Sequence, residues 1–130
     1  MTGTDKLKAL VREGTAQNVD PARMVEILTE LSGLSFFLGE QVAQHHRAYI
    51  QAEHERKMRS ALAKFNAIAE GKSASAADNI AEVGTEAYRT RETEANAEWY
   101  RLRMLRDDTA NVMDALRTRI SYLKHERQNA

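Results

Sequence analysis

The sequence has no cysteine, one proline and six glycines in 130 residues. Without cysteine there are no disulfides and no thiolate metal sites, and a reducing cytoplasm is the expected compartment. A single proline, few glycines and 6% aromatic residues supply too little turn and strand material for a sandwich or a barrel. No run approaches the roughly 18 uninterrupted apolar residues of a spanning helix, so no membrane partner is expected. The N-terminus also lacks the apolar stretch of a signal peptide. An excess of one charge is missing too: 19 basic and 19 acidic residues cancel, which weakens any reading based on bulk electropositivity. What is present is 42% hydrophobic and 29% charged residues, enough for one core in one domain and too much apolar material for a disordered chain.

The apolar residues fall on helical spacing. A short N-terminal segment, residues 1–19, holds a helical stretch from Asp5 to Glu13 with Leu7, Leu10 and Val11 on one side, then a loop at Gly14, Thr15 and Asn18. Asp20-Pro21 pairs an N-cap acceptor with proline at the first helical position and opens a long helix over 20–70. Its apolar stripe is Met24, Leu28, Leu31, Leu38, Val42 and Tyr49, with Ser35 and His45 filling two steps. Gly33 and Gly39 weaken it by about 1 kcal/mol each relative to alanine, so either a second helix comes close there or the helix kinks. Residues 71–75 read as a tight turn, with Gly71 suited to the left-handed position after a helix end. Ser75 and Asp78 resemble a capping start. A second long helix over 76–128, with a break expected near Gly84, carries the strongest stripe: Leu102, Leu105, Thr109, Val112, Leu116, Ile120 and Leu123, preceded by Trp99.

Two long helices joined by a few residues predict an all-α fold, a long antiparallel helical hairpin with a short N-terminal helix. Residues 51–57 and 89–95 lie equally far from the turn and are both polar, whereas 24–50 and 99–123 are both apolar. An apolar base and a polar middle are therefore expected. Two helices enclose no core alone, so the base must meet the N-terminal helix or other copies. Leu34, Phe36, Phe37 and Leu38 surround more of the helix than one partner covers. That predicts a homo-oligomeric bundle with Leu34, Phe37, Leu38, Trp99, Leu105, Val112, Leu116, Ile120 and Leu123 at the interface.

Tests for chemistry return little. The histidines, His45, His46, His54 and His125, lack the Glu-x-x-His pairing of di-metal bundles, and no two are four residues apart, so no metal or cofactor is expected. There is no cysteine nucleophile, no G-x-S-x-G and no phosphate-cradling glycine loop; Asp107-Asp108 and Glu92 with Glu94 diverge on a helix. No enzyme is expected. The basic cluster is the most informative feature. Arg56, Lys57, Arg59 and Lys64 follow Arg47, and residues 45–64 hold five basic and two acidic side chains. Such stripes bind polyanions with salt-dependent affinity, and Tyr49, Phe65 and Tyr88 are placed to stack on single strands. Pairing with Glu53, Glu55 and the acidic stretch 65–98 is the competing reading, and composition alone favours it. Arg117, Arg119, Lys124, His125 and Arg127 suit a helix C-terminus without any ligand, or form a second contact strip.

The layout resembles the UvsY-like family of phage recombination mediators. The resemblance rests on Lys57-Met58-Arg59-Ser60-Ala61-Leu62-Ala63-Lys64 before Gly71, on Glu98-Trp99-Tyr100, and above all on residues 114–125, Asp-Ala-Leu-Arg-Thr-Arg-Ile-Ser-Tyr-Leu-Lys-His. It spans residues 24–127 in layout and is specific only in that last dozen. The chain departs from the family in its neutrality and in the residue-by-residue make-up of its basic run. The resemblance implies an all-helical ring oligomer that binds single-stranded DNA, hydrolyses nothing, and helps replace a single-strand-binding protein with a RecA-type recombinase in the host cytoplasm. Carried over, Arg56, Lys57, Arg59 and Lys64, with Arg47 on the same helix and Lys72 near the turn, would be the DNA-binding residues, and several copies would multiply modest contacts into affinity. The alternative function is a non-enzymatic helical scaffold, adaptor or assembly chaperone.

Overall fold

Each helix end traces to a local signal in the computed structural model, which describes residues 2–129. Thr2 caps α1 (Gly3–Thr15): its hydroxyl accepts from Asp5 N at 3.1 Å, and the Asp5 carboxylate accepts in return from the Thr2 hydroxyl at 2.8 Å. α2 (Pro21–Ala69) opens behind Asp20, whose carbonyl accepts from Met24 N at 2.9 Å. It closes in a Schellman turn. Lys72 N donates to Ala67 O and Gly71 N to Ile68 O, both at 3.0 Å, and Gly71 takes φ +87°, a conformation that any Cβ would strain. Ser73, not Ser75, caps α3 (Ala74–Gly84), accepting from Ala76 N at 3.1 Å. Thr85 then separates α3 from α4 (Glu86–Asn129), and its buried hydroxyl donates to Ala81 O at 2.6 Å. Among the described residues there is no strand, and no helix is long and apolar enough to cross a membrane.

The chain divides into two compact units. The first comprises the chain up to Val42 and the chain from Arg101 on. Its core is Leu7 and Leu10 of α1, Met24, Ile27, Leu31, Leu38 and Val42 of α2, and Leu102, Leu105, Val112, Met113 and Leu116 of α4, all buried. Ile27 takes the interior position that the stripe assigns to Leu28, which is only half-buried. Thr109 is buried without penalty because its hydroxyl donates to Leu105 O at 2.7 Å. Of the two explanations for Gly33 and Gly39, close approach does not hold, since a Cβ at either would meet nothing within 4 Å; the close approach is at Gly14, where a Cβ would meet Val112 Cγ1 at 2.7 Å. Arg23 fixes α1 to α2, its Nε donating to Glu13 Oε1 at 2.6 Å and its Nη2 to Glu13 Oε2 at 2.8 Å. Arg119 donates to Ala16 O and Gln17 O, both at 3.3 Å, and so holds the loop between these helices.

Several residues that the sequence assigns to an interface between copies are covered within the chain itself. Leu38, Leu105, Val112 and Leu116 are buried by their own chain, because α1 supplies the third side that two helices lack. Their burial requires no second copy. Leu34 is half-buried and Phe37 is exposed. Ile120 and Leu123 are half-buried and line a shallow groove with Pro21 and Val25.

The second unit is Ala43–Tyr100. Its buried residues are small: Ala67 of α2, Ala77 and Ala81 of α3, and Thr85. Small side chains let the helices approach closely but bury little apolar area, so polar and aromatic contacts carry more of the specificity here than in the first unit.

Candidate nucleic-acid interface

The basic run lies on the last turns of α2, within the second unit, where acidic residues of α3 and α4 face it. Arg56 is the most engaged. Its Nε donates to Glu92 Oε2, and its Nη2 donates to Glu92 Oε1 at 3.4 Å. Both side chains are mostly shielded, and the hydrogen bond to Glu92 holds the guanidinium above its ordinary pKa. Lys57 pairs with Glu53 one turn back at 2.7 Å, and Lys64 reaches Asp78 of α3 at 3.4 Å. The Lys57 hydrogen bond comes first among the causes that hold the Glu53 carboxyl below its usual value.

These pairs differ in worth. Lys57–Glu53 and Lys64–Asp78 are solvent-exposed, and such pairs contribute about 0.2–1 kcal/mol, so a phosphate displaces either carboxylate at little expense. Arg56–Glu92 is shielded, and separating it strands a half-buried carboxylate. Arg56 therefore cross-links α2 to α4 within its own unit.

Arg59 has a different environment. Its guanidinium carbon lies 5.3 Å from the centroid of the Tyr88 ring, and that of Arg91 lies 5.2 Å from the same ring. Neither guanidinium has a carboxylate within ion-pair distance among the described residues, and Tyr88 itself is half-exposed. Two cations and one aromatic ring thus share a patch of surface. The basic run contains Arg59, and Tyr88 is a stacking candidate in the sequence. Arg91 is missed because it sits in an acidic stretch, yet it lies one turn from Tyr88 on a helix. Of the remaining candidates, Arg47 and Lys72 are exposed and separate from this cluster.

Trp99 has an intramolecular role. Its ring stacks on Tyr49 at 5.6 Å and 14° and meets His46 at 4.5 Å. Burial first, and then the hydrogen bond to Glu53, raises the Tyr49 hydroxyl above its ordinary pKa. Trp99 is thus half-buried by its own unit. Among the described residues no three His, Asp or Glu come together in a way that could hold a metal ion. Comparison with protein-family models, with curated proteins and with solved structures finds no match to this chain.

Proposed function

We propose that the protein is a non-enzymatic single-stranded DNA-binding protein that acts as a recombination mediator, helping to load a RecA-type recombinase onto a strand held by a single-strand-binding protein. The observation that carries this reading is the Arg59–Tyr88–Arg91 cluster. Single-strand binders combine cations that track phosphates with an aromatic ring on which a base stacks, and both are present in one patch. Lys57 and Lys64 add phosphate contacts, since their exposed ion pairs are weak. The reading also takes the chain as a long antiparallel helical hairpin in a cytoplasmic homo-oligomer, in which repeated copies of a neutral protomer give useful affinity. The likeness of residues 114–125 to the UvsY-like pattern supports the mediator role within that class.

The test is binding to a fluorescent oligo-dT strand across a salt series. Tyr88→Ala is expected to weaken binding roughly tenfold, the loss of one stacked base. Arg59→Ala with Arg91→Ala is expected to flatten the plot of log K against log salt by about 1.4, two phosphate contacts to a single strand. Wild-type binding by both variants would refute the assigned site.

A second reading, a helical scaffold, adaptor or assembly chaperone, is favoured by the pairing of Arg56, Lys57 and Lys64 with the chain's own carboxylates. No binding to oligo-dT at low salt would select it.

A further inference from the structure

The side of α2 turned away from Glu92 and α3 is apolar and uncovered. Met58 is 53% exposed, Leu62 51%, Phe65 70% and Ile68 58%, with Ala61 and Ala69 exposed beside them. Met58, Leu62, Phe65 and Ala69 recur every three or four residues and so form one stripe. Ala67, on the opposite side, is the α2 residue that the second unit buries. The cations of the run avoid the stripe: Arg56, Lys57 and Lys64 are turned toward partners in their own unit.

We infer that this stripe is a two-fold interface with a second copy of the chain, the two α2 segments running antiparallel about an axis between Ala63 and Lys64. Two features of the stripe choose that occupant. An antiparallel pairing about this axis sets Leu62 against Phe65 of the partner subunit, and Met58 against Ala69 of the partner subunit, so large faces small or flat at every step. The area is also sufficient. The four large side chains offer roughly 400 Å² per copy, and with Ala61, Asn66, Ala69 and the flanking stems the pair reaches about the 1,000 Å² that a specific interface needs. The inference rests on the homo-oligomer of the proposed function, but its test is separate from that of the DNA site, because Arg59, Tyr88 and Arg91 lie off the stripe.

The test is the mass of the full chain in solution, by light scattering at micromolar concentration. The wild type is expected as a dimer or a multiple of one. Leu62→Glu with Phe65→Glu, both at exposed positions and so harmless to the protomer, is expected to lower that mass at least twofold while the helical circular dichroism stays constant. The absence of native cysteine allows a second readout. Mixed under oxidation, Leu62→Cys and Phe65→Cys chains are expected to cross-link to each other in preference to themselves. A monomeric wild type, an unchanged mass in the double glutamate variant, or cross-links between like chains only would each overturn the inference. The first would leave the stripe to a different protein.

Discussion

At the scale of single residues, the clearest division is among cations that look equivalent in the sequence. Arg56 and Arg59 are three residues apart on α2, yet one is held by Glu92 and the other lies over Tyr88. Removing them therefore has different consequences. Arg56→Ala is expected to lower the stability of the folded chain by about 1–2 kcal/mol, the worth of a shielded charged hydrogen bond. Glu92→Gln should lower it by a similar amount, and the double variant by clearly less than the sum. Urea unfolding of the four proteins measures this, and strict additivity would mean that the pair contributes nothing. Gly14 is a second case. Alanine is the better helix former by about 1 kcal/mol, but its Cβ would sit 2.7 Å from Val112 Cγ1. The clash outweighs the propensity, because interior overpacking costs about 1–3 kcal/mol. Gly14→Ala should lower the melting temperature, and Val112→Ala combined with it should recover part of the loss.

At the scale of elements, α1 is the piece whose attachment depends on pH. Glu13 is held below its ordinary pKa, first by the hydrogen bond from Arg23, and Asp5 is held below its own by the Thr2 hydroxyl. Both are carboxyls depressed in the folded chain. Their contribution is complete above the unfolded values, near 4.5 for Glu13, and is lost as pH falls through the lowered folded values. Acid titration is expected to loosen α1 below about pH 4.5, seen as faster amide exchange at Leu7 and Leu10. Glu13→Gln should remove most of that pH dependence. A titration profile unchanged by the substitution would show that the Arg23 pair does not fix the helix. The helices themselves are largely legible in the sequence. Asp20-Pro21, Gly71 and Gly84 each mark an end, because proline, a left-handed turn and a cap act over a few neighbouring residues. The α3 cap is misread by two residues since Ser73 and Ser75 are equally good acceptors, and only the path of the chain after Gly71 selects between them.

At the scale of the whole molecule, a neutral chain with 19 charges of each sign binds a polyanion only through local patches. If the proposed cluster is the site, two guanidiniums per copy give a shallow salt dependence for one protomer, and affinity must come from several copies on one strand. Dilution below the assembly concentration should then weaken DNA binding together with mass, which ties the two measurements to one another. Much of this was settled by the residues alone. The scarcity of proline and glycine and the three-four spacing of apolar positions determined an all-helical chain and most of its helix ends, because those effects are local. Tertiary structure decided which partner each side chain meets. α1 fills the base that the stripe left open, Glu92 takes Arg56, Tyr88 gathers Arg59 and Arg91, and Met58, Leu62 and Phe65 are left uncovered. Periodicity gives the side of a helix on which a residue lies, but not what lies against that side; that depends on contacts between residues far apart in the chain.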